Sequence, residues 1–166
     1  MQPQLPARLR TKDRWIHCYP PEPLADLARL SEEFCAEKAS SHDPAQARPL
    51  QLIGRRHVRS NNSWMHNYHR LVKGPNRCTL LMHPQDIQQR NILEGSEVEV
   101  RSRVGALQVV VEASAEIMPG VVSLPHGFGH HREGIRMDIA QRHAGVSCTD
   151  ITDEYALDAL SGNAAV

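Results

Sequence analysis

Three short segments of the 166-residue chain concentrate the side chains that could bind a polar ligand. The first, RRHVRSNNSW at residues 55–64, places guanidinium, amide, hydroxyl and indole groups in one predicted loop. Arginine can bind phosphate through two hydrogen bonds, while asparagine and serine can match the donor and acceptor edges of a heteroaromatic ring. A solvated turn is the simpler interpretation of this loop when it is taken alone.

The second segment is LLMHPQD at residues 80–86, and it places His83 and Asp86 at a predicted strand-to-helix junction. Free backbone N–H groups at such a junction favour an anion or a ring oxygen. The same two side chains can equally cap the helix that Pro84 opens. The segment by itself leaves ligand binding and capping open.

The third segment, LPHGFGHH at residues 124–131, has two glycines that allow a ligand close to the backbone. Its histidines, His126, His130 and His131, have no cysteine partner nearby, and adjacent histidines rarely point at one ion. We therefore predict no metal site formed by this chain's own side chains.

Short strands must position these segments. Apolar runs near residues 50–58 and 79–82, alternation at 96–101 and 107–111, and a run at 121–124 predict strands, with a short helix from Pro84 to about Arg90. Residues 134–166 are predicted to be mostly loop. Many short strands with few helices indicate a mainly β fold and a small barrel.

The first 50 residues differ from the rest of the chain. Prolines interrupt them, one short helix is predicted at about 23–36, and SSHDPAQARP at residues 40–49 resembles a polar linker. We therefore divide the chain into an irregular extension at 1–50 and one β domain at 51–166.

Composition excludes several function classes. Nineteen basic residues balance nineteen acidic ones, so no overall field attracts nucleic acid or an anionic membrane. The four cysteines form no C-x-x-C pair, and neither a signal peptide nor a membrane-spanning run is evident. We expect a cytoplasmic protein, although export through a signal on a longer parent chain stays open.

In order, the three segments resemble the carboxy-terminal dinucleotide-binding domain of molybdopterin oxidoreductases, the family of formate dehydrogenase, nitrate reductase and DMSO reductase. The family shows an N-S-W-like loop, H-P-x-D, a strand of glycine-acid-x-V-x-V, P-G-V-V and a P-H-G-W-G-H-like loop. Here the matching residues are 56–64, 83–86, 95–100, 119–122 and 125–130, and the D-x-L-S-G-x-A close matches 158–164.

The resemblance implies a double-psi β-barrel that binds the guanine dinucleotide and pterin part of a bis-molybdopterin cofactor, whose molybdenum or tungsten the cofactor itself carries. Asparagines common in the family before its leucine-threonine pair are replaced here, so hydrogen bonds to the pterin would pass to Ser147 and Thr149. The implied cofactor-binding residues are Arg56, Asn61, Asn62, Ser63, Trp64, His83, Asp86, His126, Gly127, Phe128, Gly129, Ser147 and Thr149.

The predicted function is cofactor binding within a larger oxidoreductase whose remaining domains are the partners of this chain. No catalytic residue is expected, because the redox reaction would occur at the cofactor metal. A stand-alone barrel that binds a protein or peptide is the main alternative. A barrel hydrolase or decarboxylase is disfavoured, since no nucleophile has a nearby base. A domain whose surface serves only to pack against other domains stays open, and would expose apolar patches.

Overall fold

The computed structural model describes residues 3–39, 49–155 and 157–164. All of the predicted linker at residues 40–49 except Pro49 therefore lies outside the described residues. The described chain forms two compact units, one with the residues up to 39 together with 159–162, and one with the remainder. The sheet and all three candidate segments belong to the second unit.

The first unit contains one long helix, α1, from Pro21 to Ala39, a range that includes the helix predicted for about 23–36. Arg29 stabilises its middle through ion pairs with Asp26 at 2.6 Å and Glu33 at 2.7 Å. The apolar side chains of Leu27 and Phe34 are 60% and 62% exposed. The helix thus has an exposed apolar face, although isolated helices usually depend on packing.

The second unit is a five-stranded mixed sheet with short helices, so the predicted mainly β class is confirmed. Its strand order is β1-β5-β2-β4-β3. The strands are β1 (Gln51–Arg55), β2 (Thr79–Met82), β3 (Glu97–Arg101), β4 (Ala106–Ala113) and β5 (Val121–Pro125). Over the described residues the sheet is open, with β1 and β3 at its edges, and the predicted barrel closure is not seen there.

Strand directions decide which loops meet. The pairs β1–β5 and β2–β4 are parallel, whereas β2–β5 and β3–β4 are antiparallel. The predicted hairpin is the β3–β4 pair, in which Val98 faces Val109 across the ladder. Because β5 runs parallel to β1 and antiparallel to β2, the loops that follow β1 and β5 lie at one end of the strands. The loop that follows β2 lies at the opposite end.

The core lies on one face of this sheet. The alternating apolar residues of β4 turn inward, as period-two patterning requires, and Leu124 of β5 is fully buried. The buried core cluster comprises Leu80, Met82, Ile87, Leu107, Val109, Val111, Val122, Leu124 and Ile151. At about 25 cal/mol per Å² of apolar area, this cluster is the main source of stability for the unit.

Four short helical segments connect the strands: α2 (His69–Val72), α3 (Pro84–Gln89), α4 (Asp138–Arg142) and a 3₁₀ helix (Cys148–Ile151). Only α3 was predicted, because proline and an acidic first turn mark its start. The other three are too short for apolar periodicity to reveal them. Residues 134–164 are otherwise loop in the described chain, as predicted, and no described helix is long and apolar enough to cross a membrane.

Candidate functional site

Three loops meet beyond the carboxyl ends of the parallel strands β1 and β5. We call residues 56–67 the Asn loop, residues 126–129 the glycine loop and residues 144–149 the Ser/Thr loop. The first two start side by side, because Arg55 pairs with Pro125 and the His126 N–H donates to the Arg55 carbonyl at 3.0 Å. Ligand sites in sheets containing parallel strands commonly occupy such an edge.

The Arg55 side chain fixes the start of the Asn loop. Its guanidinium donates to the Ser123 carbonyl and to both the carbonyl and the hydroxyl of Thr79, the carbonyl at 2.7 Å. Burial lowers the pKa of Arg55, and the nearby Glu112 carboxylate opposes that effect. These bonds tie β1 to β5 and β2 at the point where the loops begin.

The Asn loop contains two consecutive left-handed residues, Asn61 with φ 42° and Asn62 with φ 65°. Asparagine adopts this conformation more readily than most residues, which explains the N-N pair at this position. The turn is closed by hydrogen bonds from the Met65 N–H to the Ser60 carbonyl at 3.1 Å and from the Trp64 N–H to the Asn61 carbonyl at 3.4 Å. The buried Asn62 Oδ1 has no hydrogen-bond partner among the described residues.

The glycine loop packs against both other loops. A Cβ on Gly127 would lie 2.7 Å from the Asn62 carbonyl oxygen, and a Cβ on Gly129 would lie 2.8 Å from the Ser147 Cβ. Both glycines also have positive φ, +92° and +103°. Glycine is therefore required at both positions by loop-to-loop packing as well as by backbone conformation.

The Ser/Thr loop is attached to the glycine loop and to the strand core. The N–H groups of Gly129 and His130 both donate to the Ala144 carbonyl, at 2.7 and 3.2 Å. The Ser147 and Thr149 hydroxyls are hydrogen-bonded to each other at 2.6 Å. These two hydroxyls therefore lie close to the glycine loop, and their hydrogen bonds to a pterin stay a prediction.

The structure thus brings together seven of the implied cofactor-binding residues: Asn62, His126, Gly127, Phe128, Gly129, Ser147 and Thr149. Four more lie on the same Asn loop. Among these, Arg56 and Asn61 are exposed, Ser63 is half-buried, and Trp64 is 82% exposed. An indole so exposed contributes nothing to the core, so it is free to contact a ligand or another domain.

His83 and Asp86 lie elsewhere. Asp86 is 5% exposed and accepts a hydrogen bond from the Gly120 N–H at 2.8 Å, while His83 Nδ1 accepts from the Gln85 N–H at 3.1 Å. Gly120 precedes β5 and the glycine loop follows it, so the strand separates them by about 20 Å. In this structure both side chains stabilise turns at the opposite end of the strands. Their contact with a cofactor stays a prediction.

A thiol and an imidazole meet inside the three-loop cluster, at 3.4 Å between Cys148 Sγ and His126 Nδ1. Burial raises the pKa of Cys148, although the Arg56 charge acts in the opposite sense. The thiol is therefore protonated at neutral pH, and the pair does not supply the low-pKa thiolate that nucleophilic catalysis needs. The cluster offers hydrogen bonds and positive charge rather than a nucleophile.

Sequence reasoning did not predict that two histidines behind the glycine loop are buried together. His66 and His130 are 2% and 7% exposed, with His66 Nδ1 and His130 Nε2 only 2.7 Å apart. His130 was considered only as a metal ligand, and His66 was not singled out. Over the described residues no group of three or more His, Cys, Asp or Glu side chains is arranged to hold a metal ion. Nothing in the local sequence around His66 indicates that it is buried.

Comparison with known proteins identifies the class. A family model described as "Molydopterin dinucleotide binding domain" matches residues 50–166, which contain all three loops. The chain belongs to this family, and the predicted cofactor-binding domain is thereby confirmed.

Solved structures also match, among them acetylene hydratase from Pelobacter acetylenicus, with 20% identity and a TM-score of 0.48. That match covers 72% of this chain and 18% of the hydratase, so the chain spans less than a fifth of the matched protein's length. A search of curated proteins finds no match.

Proposed function

We propose that this chain is the dinucleotide-binding part of a larger molybdopterin oxidoreductase of the formate dehydrogenase and nitrate reductase type, and that its three-loop cluster holds the pterin and guanine dinucleotide of a bis-molybdopterin cofactor. The remaining domains of that enzyme are its partners. When bound, the cofactor supplies the redox chemistry through its molybdenum or tungsten, while this chain's residues bind and orient it. The chain itself is then not catalytic.

One observation carries the proposal: among the described residues, the buried Asn62 Oδ1 has no donor, and it lies between the Asn loop and the glycine loop. A buried acceptor without a hydrogen bond costs roughly 1–3 kcal/mol, so it is a place where a ligand donor would be gained. Pterin and guanine rings both present N–H groups along one edge. The acceptor and the Ser147 and Thr149 hydroxyls together fit such an edge chemically.

The charges of the Asn loop support the same ligand. Arg56 and Arg59 are exposed within four residues of each other, and the loop contains no Asp or Glu. Guanidinium groups pair well with the oxygens of a diphosphate. We therefore assign the diphosphate bridge of the dinucleotide to these arginines and the ring edges to the Asn and Ser side chains.

The finer fold assignment, a double-psi β-barrel, is part of the same proposal. The mixed parallel and antiparallel order of the five strands is compatible with it. A groove of about 420 Å³ lined by Leu52 of β1 and by Val98 and Val100 of β3 adjoins both open edges. A closed barrel would cover these apolar side chains.

An amide-shift titration of the isotope-labelled chain with GDP tests the proposal, with ADP as the control nucleotide. GDP represents the guanosine diphosphate end of the cofactor. We expect selective shifts at Asn62, Gly127 and Gly129, and weaker, non-selective shifts with ADP. Equal responses to both nucleotides, or none at millimolar concentration, would contradict the assignment and favour the alternative of a barrel that binds a protein or peptide.

A matched pair of variants sharpens the titration. Asn62→Ala removes the buried acceptor, whereas Asn91→Ala imposes the same backbone change at a residue with φ 53° outside the three loops. We expect Asn62→Ala to weaken GDP binding about tenfold, the equivalent of one hydrogen bond of about 1.4 kcal/mol. Asn91→Ala should bind GDP like the wild type. Equal losses in both variants would show that backbone strain, and not the acceptor, is responsible.

A further inference from the structure

The glycine loop rests on a buried histidine pair. The His66 and Phe128 rings lie with their centroids 4.2 Å apart, and His66 meets His130 edge to face at 5.0 Å. One hydrogen bond of 2.7 Å joins the two imidazoles. Phe128 lies between the two glycines of the loop, so the orientation of the pair fixes the side chain at the loop's centre.

The surroundings of the pair are unfavourable for added positive charge. His66 lines a cavity of about 30 Å³ together with Arg59 of the Asn loop, Arg77 before β2 and His143 after α4. In the described part of the chain, no acidic residue lines this cavity. The Arg77 guanidinium donates to the Leu71 and Lys73 carbonyls. Burial lowers the pKa of His66 and of His130, and the nearby Gly127 carbonyl, which favours the protonated forms, offsets this only in part. The buried His66 Nε2 has no hydrogen-bond partner among the described residues.

We propose that the neutral His66–His130 pair positions Phe128 and the Gly127–Gly129 backbone for the cofactor, and that protonation of the pair displaces the loop. This inference rests on the proposed function, because it assigns a positioning device to the same site. His66 and His130 are then positioning residues, which act on the ligand only through the glycine loop.

The geometry explains why protonation of both rings matters. In the neutral pair, one ring nitrogen carries the proton and the other accepts it. A first proton on an outer ring nitrogen leaves this N–H···N bond intact. When both rings are protonated, both facing nitrogens carry hydrogens, which cannot approach to 2.7 Å, so at least one ring must turn. A turn of either ring changes the packing of the pair against Phe128, and the loop shifts with it.

The test uses the full chain and two readouts. Ring-nitrogen and amide spectra of the ligand-free chain between pH 8 and pH 5 follow the pair and the loop directly, and GDP titrations across the same range follow binding. The double variant His66→Asn with His130→Gln places amide groups near the two bonded nitrogens and cannot titrate. His131→Gln, an exposed neighbour, is the matched control.

In the wild type and in the control, we expect the Gly127, Phe128 and Gly129 signals to move with the titration of the two rings, below pH 6.5. The double variant should show no such transition. GDP's own phosphate titrates in this range, so the decisive quantity is the ratio of wild-type to double-variant Kd. That ratio should rise about tenfold per pH unit below the transition.

Two results would overturn the inference. In the first, the wild type and the double variant both bind GDP at pH 7.5, and their affinities change equally as the pH falls. This result would leave the proposed function intact. The second is ring titration without movement of the glycine loop, which the wild type alone reveals even if the double variant does not fold. If no form binds GDP at neutral pH, the proposed function fails, and cofactor positioning fails with it.

Discussion

Replacing Asp86 by alanine separates the two roles that its sequence context allows. Asp86 is 5% exposed, its Oδ2 accepts from the Gly120 N–H at 2.8 Å, and its Oδ1 lies 3.9 Å from the Arg90 guanidinium. A hydrogen bond to a charged group contributes about 1.5–3 kcal/mol, and its loss leaves the Gly120 N–H without this acceptor. The turn that leads into the interior strand β5 would then be weakened.

We therefore expect Asp86→Ala to lower the free energy of unfolding by about 2–3 kcal/mol. Asp86→Asn keeps an oxygen acceptor but loses the charge, so it should cost about 1 kcal/mol. Glu116→Ala, at an exposed site nearby, is the control and should change stability by less than about 0.5 kcal/mol. Urea denaturation followed by far-UV circular dichroism measures all three.

GDP affinity decides between the roles. If Asp86 acts only within the fold, the folded Asp86→Ala variant binds GDP within about twofold of the wild type. A tenfold loss of GDP affinity with unchanged stability would refute this reasoning, and would show that Asp86 contacts the ligand as the family resemblance implies.

Three further predictions concern the loop site and the thiols. Burial lowers the pKa of His66 and His130 below the ordinary 6.5, so as the pH falls these two groups gain protons in the unfolded chain before they do in the folded chain. The contribution of this pair to the free energy of unfolding should stay constant above pH 6.5 and fall below it by up to about 2.7 kcal/mol per pH unit. Urea midpoints at pH 7.5 and 5.5 measure this change, and a flat profile would show that the pair is not buried. Gly127→Ala should destabilise the chain by about 2 kcal/mol more than Gly134→Ala, since both have positive φ but only the first meets the Asn loop backbone; equal thermal-unfolding losses would contradict that contact. A thiol reagent at pH 7.5 should modify the two exposed cysteines within seconds and spare Cys78, which is 3% exposed with a pKa raised by burial; rapid modification of Cys78, located by mass spectrometry, would contradict its burial.

Much of the sheet could be predicted from local pattern. The alternation that marked β3 and β4 reflects one buried face, and the short apolar runs that marked β2 and β5 reflect strands buried more completely. Helix α3 was predicted by its proline and by the acidic side chain in its first turn. In each case a physical requirement of the element acts over a few neighbouring residues, so it is visible in the sequence.

Strand order could not be obtained in the same way. The order β1-β5-β2-β4-β3 depends on pairing between residues up to 70 positions apart, such as Gln51 with Val121. Hydrophobic alternation states which face of a strand is buried but not which strand lies beside it. This is why H-P-x-D seemed to belong with the other two motifs and yet lies at the opposite edge of the sheet.

In the candidate site too, some residues could be predicted from the sequence and others could not. The glycines of the glycine loop could be identified because positive φ and close approach restrict the residue type itself. His66 could not be, because burial of an imidazole depends on Phe128 and His130, which lie more than 60 residues further along the chain. His66 lies seven residues from the exposed Arg59, and no feature of the sequence around it distinguishes it from a histidine on the surface. The binding chemistry of a loop can therefore be predicted from its motif. The side chains that pack behind the motif can be identified only from the tertiary structure, because they come from distant segments.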